Sequence, residues 1–229
     1  MKKTDHRCIR TVQERRTLKR NIRIGVLILA AVLLIAGVLK IADPEWLRRG
    51  YFELTGGHID ASKPEIDVEL LTVNPYSRPG TETDRITGIV VHYTANPGAT
   101  AMENRNYFEG LKDSHAAKSS SNFIVGLEGE IIQCVPTWEV AYASNDRNHD
   151  TISIECCHPD ESGEFNWSTY RSMVQLCAWL CLKFDLGPED VIRHHDVTGK
   201  NCPKYFVEHE DAWEQFRADI QEALDESAQ

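Results

Sequence analysis

After its first segment, the 229-residue chain has little positive charge and no second long apolar run. The whole sequence holds 25 lysine and arginine residues against 35 aspartate and glutamate residues, a formal net charge of −10. Residues 1–23 contain nine of the basic residues and only two acidic ones, so the rest of the chain carries −17. Because such a surface repels phosphate backbones, nucleic acid is excluded as an expected partner.

The sequence also lacks a cysteine pattern of the kind that cross-links small secreted domains. Its seven cysteines are an odd number, and two of them are adjacent, so on one strand they would point to opposite faces. We interpret five of them as small buried apolar side chains; the alternative is that they form disulfides or take part in redox chemistry. These five are Cys134, Cys156, Cys157, Cys177 and Cys181.

The single long apolar run lies near the N-terminus. Residues 24–39 are all apolar or glycine, and residues 40–42 extend the run to nearly the roughly 20 residues that cross a bilayer. The basic residues of 1–23 precede it, so we predict one transmembrane helix over 24–42, a cytoplasmic N-terminus and an extracytoplasmic domain. A cleaved signal peptide is the alternative, although no clear small-x-small cleavage site follows the run.

The remainder divides into a polar tract and an alternating α/β region. Residues 43–80 contain prolines and glycines with little periodicity, and we predict a stalk that leads into a domain over 81–226. Within that domain, β-branched runs alternate with helical spacing. Strands are predicted over 86–93, 122–127, 130–135, 151–157 and 191–192, and helices over 99–111, 167–184 and 210–224. This alternation predicts an α/β domain with a mixed central β-sheet flanked by helices.

Two distant segments contain residues that bind zinc in proteins. The segment 193–203 holds His194 and Cys202, and His92 ends an apolar run about a hundred residues earlier. Both histidines are expected at strand ends, and neighbouring strands lie only about 5 Å apart, so the imidazoles could converge. Two histidines and one cysteine would leave a fourth zinc position open, as in catalytic sites. A core histidine at 92 and a loop pair of His194 and His195 remain the alternative.

Four motifs resemble those of a known enzyme family, in the same order along the chain. They are the strand around His92, a hairpin over 123–133, the strand 148–155, and the run His194-x5-Lys200-x-Cys202-Pro203. Together these motifs resemble the zinc-dependent N-acetylmuramoyl-L-alanine amidases, the type 2 amidase and peptidoglycan recognition protein family. The resemblance implies a mixed sheet flanked by helices and hydrolysis of the amide between N-acetylmuramic acid and L-alanine in peptidoglycan.

The resemblance also implies roles for five residues. Zn²⁺ would be the cofactor and His92, His194 and Cys202 its ligands, with Cys202 standing where many members have aspartate. Glu155 matches the family's catalytic glutamate and would transfer the proton. Lys200 would present its ammonium group to the oxygen that becomes negative in the tetrahedral intermediate.

The chain departs from the family pattern before the predicted hairpin. Residues 119–121 are three serines where some members have a catalytic tyrosine, so more of the proton transfer is expected to depend on Glu155. His195 could compete with His194 as a ligand, but the spacing to the following lysine and cysteine favours His194. Two further histidines are candidates for polar groups lining the groove: His149 and His158.

The implied partners are a peptidoglycan or muropeptide substrate and, through the helix over 24–42, a membrane. A hydrolase held there would act on the cell wall nearest its own membrane, in remodelling or recycling. A non-catalytic recognition domain that holds muropeptide without cutting it is the alternative. Non-catalytic members of the family typically lose a zinc ligand, whereas this chain keeps all three matching residues.

Overall fold

The computed structural model describes residues 19–22, 24–28, 50, 52, 54 and 57–228. The chain divides into two compact units, Met1–Leu47 and Arg48–Gln229. In the first unit, residues 19–22 and 24–28 are helical. Most of the predicted transmembrane helix over 24–42 lies outside the described residues, and within them no helix is long and apolar enough to cross a membrane.

The strands that the structure describes in the second unit form a single six-stranded sheet. In chain order they are β1 Asp67–Val68, β2 Gly88–Tyr93, β3 Phe123–Val125, β4 Ile131–Gln133, β5 Thr151–Cys156 and β6 Val191–Arg193. In space they are ordered β1-β4-β3-β5-β2-β6. Strands β3, β5, β2 and β6 are parallel, β4 is antiparallel to β3, and β1 is parallel to β4. The predicted mixed sheet is confirmed.

Helices cover both faces of this sheet. The α-helices whose bounds lie within the described residues are α1 Ala101–Ser114, α2 Trp167–Phe184, α3 His194–Thr198, α4 Lys204–Glu208 and α5 Glu210–Ser227. The three longest agree with the predicted helices. The two short ones were not predicted, because five residues are too few to show helical periodicity. Helix α1 is capped by the preceding residue Thr100, whose side chain accepts from the Glu103 N–H while the Glu103 carboxylate accepts from the Thr100 N–H.

The sheet separates two apolar cores. Ile89 and Val91 of β2 lie in one core with side chains of α2 and α5. Ile124 of β3 lies in the other, with Phe108 of α1. Because side chains alternate along a strand, His92 is directed away from the first core. The five cysteines predicted to be small core residues are all buried and free: Cys134, Cys156, Cys157, Cys177 and Cys181.

Residues 57–80 differ from the predicted stalk. Ala61 and Leu71 are only 2% and 1% exposed, and β1 lengthens the sheet beside β4. Arg105 of α1 holds the same tract by donating to two of its backbone carbonyls. Periodicity did not reveal this packing, because isolated apolar residues separated by polar ones give no regular pattern. The compact domain therefore begins before residue 81.

Candidate active site

Strand pairing brings residues from three distant segments to one edge of the sheet. The register of β2 and β5 pairs His92 directly with Glu155, and residues paired in this way point to the same face. Strand β6 pairs with the other side of β2 and ends at Arg193, so His194 starts α3 beside His92. Ligands commonly bind at the carboxyl ends of parallel strands, which is where these side chains meet.

His92, His194 and Cys202 form a compact buried cluster. Their candidate ligand atoms all lie within 4.8 Å of one another. The two imidazole centroids are 4.7 Å apart, and Cys202 Sγ lies 3.9 Å from His92 Nδ1. Burial, with the positive charges of His194 and Lys200, holds the pKa of His92 well below its ordinary value. The cluster therefore presents neutral imidazoles, the form that binds metals.

The hydrogen bonds of these imidazoles suit a bound cation. His92 Nε2 lies 3.2 Å from Ser144 Oγ, and His194 Nε2 lies 3.0 Å from Asn145 Oδ1. Because an amide oxygen only accepts, His194 carries its proton on Nε2. Its Nδ1 is then a buried lone pair with no hydrogen-bond partner in the described part of the chain. An unpaired buried acceptor costs free energy, and beside a second neutral imidazole and a thiol it fits Zn²⁺.

The environment of Cys202 favours a metal ligand over a free nucleophile. Burial and the nearby charge of Glu155 raise the pKa of the Cys202 thiol to about 12, although a hydrogen bond from the Tyr93 backbone and the charge of Lys200 oppose the rise. An isolated thiol of this kind stays protonated near neutral pH and is inert. A bound divalent cation would instead favour the thiolate form of Cys202, because a metal ion deprotonates a coordinating thiol.

Glu155 stands beside the cluster with the properties of an acid–base group. Burial raises the pKa of Glu155 to about 8, and the positive charge of Lys200 opposes that rise. Among the described residues, no hydrogen-bond partner reaches its buried Oε2. A carboxyl group with a pKa near neutrality, held in a cleft beside candidate metal ligands, can both take up and release a proton.

A cleft of about 310 Å³ opens over these groups. Its lining contains all five residues to which the family resemblance gave a role, including the exposed Lys200. The lining residues are His92, Tyr93, Lys118, Ser119, Tyr142, Ala143, Asn145, Asn148, Glu155, His194, Lys200 and Cys202. The structure thus gathers the predicted residues in one place, while their binding of a metal stays a prediction.

Several lining residues were not singled out in the sequence. Tyr142 is fixed by two hydrogen bonds with Ser120, and Lys118 Nζ lies 5.6 Å from the centroid of its ring. Tyr142 thus places a tyrosine in the lining of the cleft, although the segment 119–121 has none. Ser144 and Asn145, which contact the imidazoles, were also missed. The one sequence feature that could have drawn attention to Tyr142, Ser144 and Asn145 is their position just before the motif that begins at Asn148.

The three other histidines considered from the sequence are not part of this cluster. His195 Nδ1 is 3.0 Å from the Lys200 carbonyl oxygen, which agrees with His194 rather than His195 facing the other candidate ligands. His149 is exposed, and the ring of the buried His158 is tilted against that of Tyr93, with the centroids 5.1 Å apart. Neither His149 nor His158 is among the described residues that line the cleft, in contrast to the expectation from the sequence.

Comparison with models of known families identifies the domain. The model described as N-acetylmuramoyl-L-alanine amidase matches residues 82–205, which is more than half of the chain. The chain belongs to the N-acetylmuramoyl-L-alanine amidase family. The matched range of this amidase-family chain contains all five predicted site residues, and the resemblance read from the four motifs is confirmed.

Similar proteins come from Bacillus species. The N-acetylmuramoyl-L-alanine amidase CwlL of Bacillus licheniformis is 34% identical over 164 residues, covering 66% of this amidase-family chain and 45% of CwlL. BlyA of Bacillus subtilis (strain 168) is 33% identical over 168 residues, covering 64% of this chain and 44% of BlyA. The chain therefore spans less than half the length of these curated relatives. The solved catalytic domain of XlyA is 26% identical, with a TM-score of 0.59 over 69% of this chain and 99% of that domain.

Proposed function

We propose that this chain is a zinc-dependent hydrolase that cleaves the amide between N-acetylmuramic acid and L-alanine in peptidoglycan. The observation that carries the proposal is the buried cluster of His92, His194 and Cys202 with Glu155 paired beside it in an open cleft. Its membership of the amidase family supports the same reaction. The cleft gives an extended glycan–peptide substrate access to the cluster.

His92, His194 and Cys202 would hold the zinc ion, as three protein ligands with one position left for chemistry. Bound zinc supplies a Lewis acid that polarises the amide carbonyl and lowers the pKa of water. The two imidazoles bind as neutral groups, since burial already lowers the pKa of both. The thiolate of Cys202 would cancel part of the charge of the ion and leave enough to polarise the carbonyl.

Glu155 moves the proton in the proposed reaction. As a carboxylate it takes a proton from the attacking water molecule, and as a carboxylic acid it gives that proton to the nitrogen of the leaving L-alanine. Its raised pKa, about 8, makes both forms accessible near neutral pH. Lys200 stands at the same cleft and stabilises the negative oxygen of the tetrahedral intermediate, a contribution of several kcal/mol when the donor is well placed.

The activity is tested by digesting purified peptidoglycan with the full chain loaded with zinc. We expect new L-alanine amino termini and, by mass analysis, glycan fragments freed of their stem peptides. Glu155→Gln is the matched control, because it keeps the shape of the side chain and removes its proton-accepting oxygen; it should bind zinc without turnover. Release of reducing sugar ends would indicate a glycosidase instead. Peptidoglycan binding by the zinc-loaded wild type without cleavage would identify a recognition module.

We also propose that a helix over residues 24–42 anchors the enzyme to the cell membrane as a single-pass protein. The support is the apolar run preceded by nine basic residues, which favours a cytoplasmic N-terminus and an extracytoplasmic domain. Protease added to intact protoplasts should then remove the domain and spare a tag at residue 1. A domain that survives this treatment would contradict the proposed topology.

A further inference from the structure

We propose that the loop 143–148 positions both imidazoles of the metal centre and fixes which ring nitrogen of each faces the ion. Ser144 and Asn145 are then positioning residues that act through His92 and His194. This inference rests on the proposed zinc site and adds a device for organising it.

Two consecutive residues of this loop contact the two histidines. Ser144 is fully buried, and its Oγ lies 3.2 Å from His92 Nε2. The next residue, Asn145, places its Oδ1 3.0 Å from His194 Nε2. His92 and His194 are about a hundred residues apart, one in β2 and the other at the start of α3, yet one short loop contacts both. A single element therefore controls the relative orientation of two candidate ligands.

The loop is itself held in shape by Asn148. The Asn148 Oδ1 accepts the backbone N–H groups of Ala143 at 3.0 Å and Ser144 at 2.5 Å. The Asn148 N–H donates to the Asn145 carbonyl at 3.1 Å. Asn145 has a φ of 53°, in the left-handed region, which asparagine tolerates better than most residues other than glycine. This turn is what aims the Asn145 amide at His194.

The bond to Asn145 selects one tautomer of His194. The Asn145 oxygen can only accept, so His194 must donate from Nε2, and Nδ1 is left as a lone pair directed away from that bond. A hydroxyl both accepts and donates, so Ser144 accommodates an Nε2–H of His92 while His92 Nδ1 faces Cys202 Sγ at 3.9 Å. Partners of this kind fix the orientation of metal-binding histidines and raise their basicity.

The decisive variant is Asn145→Gly in the full chain. Glycine removes the acceptor but adopts the positive φ of this position without strain, so the loop keeps its course. We expect zinc affinity, measured by competition with a chromophoric chelator, to fall about 10- to 100-fold. Asn145→Asp keeps an accepting oxygen and should bind zinc at least as tightly as the wild type. The exposed neighbour Asp146 supplies a matched control, Asp146→Ala, which should leave the affinity unchanged.

A second measurement reports on ligand geometry rather than affinity. With Co²⁺ in place of zinc, the wild type should show an absorption band from thiolate coordination and ligand-field bands of a four-coordinate ion. Asn145→Gly and Ser144→Ala should shift the ligand-field bands, because each frees one imidazole to rotate. A loop that only closes the cleft would leave those bands unchanged. Thermal unfolding of the metal-free variants checks that the fold persists.

The outcomes separate this inference from the function on which it rests. A wild type that binds no zinc would overturn the proposed zinc hydrolase. A wild type that binds zinc, with Asn145→Gly and Ser144→Ala binding it equally tightly and giving the same Co²⁺ spectrum, would overturn only the positioning role. A loss of zinc affinity in Asn145→Gly, with wild-type zinc affinity in Asn145→Asp, would support the positioning role.

Discussion

Cys202 would determine much of the charge of the candidate metal site. Its sulfur is the only candidate ligand in the cluster that would carry a negative charge onto the ion, and it lies 3.9 Å from His92 Nδ1. The sequence singled out His194 because it shares one short segment with Cys202, and it gave Lys200 a role only through the family resemblance. It did not identify Ser144 and Asn145, because their contacts with the histidines exist only after two distant segments meet.

Cys202→Ala should remove zinc and amidase activity together. Alanine offers no ligand atom, and two imidazoles alone hold zinc weakly because the site loses both a bond and its negative charge. The metal content of the purified variant and its release of L-alanine termini check this. Cys202→Asp is the matched control, since a carboxylate restores a charged ligand and should recover part of both properties. Amidase activity in a zinc-free Cys202→Ala protein would refute the proposed zinc site.

Glu155 should make the metal-free protein less stable as the pH rises. Burial raises its pKa from an ordinary value of 4.5 to about 8, so the folded state favours the protonated carboxyl more than the unfolded state does. The stability that this preference supplies is complete below about pH 4.5 and is lost as the pH rises through about 8.

In the presence of a chelator, the melting temperature of Glu155→Gln should therefore exceed that of the wild type by an amount that grows between pH 5 and pH 8. Glu222→Gln on the exposed side of α5 makes the same charge change at the surface and should show no such growth. A constant difference between Glu155→Gln and the wild type across this pH range would contradict the raised pKa.

Among the secondary-structure elements, the short strand β1 and the tract around it differ most from expectation. Long elements such as α2 were predicted because their apolar spacing repeats over 18 residues, whereas β1 has two residues. A tract without periodicity can still be built into a domain if single side chains fill gaps between other elements. Leu71 does so, lying in the core that also contains Phe108 of α1.

Leu71→Ala should therefore destabilise the domain by about 2–5 kcal/mol, the usual cost of a cavity left by a buried leucine. The nearby Val73 is 59% exposed, so Val73→Ala should change the free energy of unfolding by no more than about 0.5 kcal/mol. Denaturant unfolding of both variants measures the difference. Equal, small effects would mean that residues 57–80 form a free stalk, as the sequence suggested.

For the molecule as a whole, the candidate metal site joins segments that are far apart in the sequence. His92 is the penultimate residue of β2, whereas His194 begins α3 and Cys202 follows that helix, so a bound ion would cross-link two segments about a hundred residues apart. A ligand that binds only the folded state stabilises it by mass action, by about 4 kcal/mol at a thousand times its dissociation constant.

Added zinc should consequently raise the melting temperature of the wild type, and a chelator should reverse the increase. Cys202→Ala should melt at the same temperature with and without zinc, because only two of the three candidate ligands remain. Differential scanning calorimetry of the full chain at several zinc concentrations makes the test. An equal zinc-induced increase in Cys202→Ala would place the stabilising ion elsewhere.

The sequence by itself determined the features that depend on neighbours along the chain. It specified the apolar alternation of β2 and β5, the helical spacing of α2 and α5, the burial of five cysteines and the acidic character of everything after residue 23. It also singled out candidate site residues through motifs shared with a family: His92, Glu155, His194, Lys200 and Cys202. Local spacing suffices for these features, because strand and helix periods are set within a few residues.

Only the tertiary structure decided which of these residues meet. The strand order places β2 between β5 and β6, and that order alone sets His92 next to both Glu155 and His194. It also brings the loop 143–148 against the two imidazoles and packs residues 57–80 onto the domain. Contacts of this kind join residues about 50 to 110 positions apart, and no periodicity along a single chain encodes them.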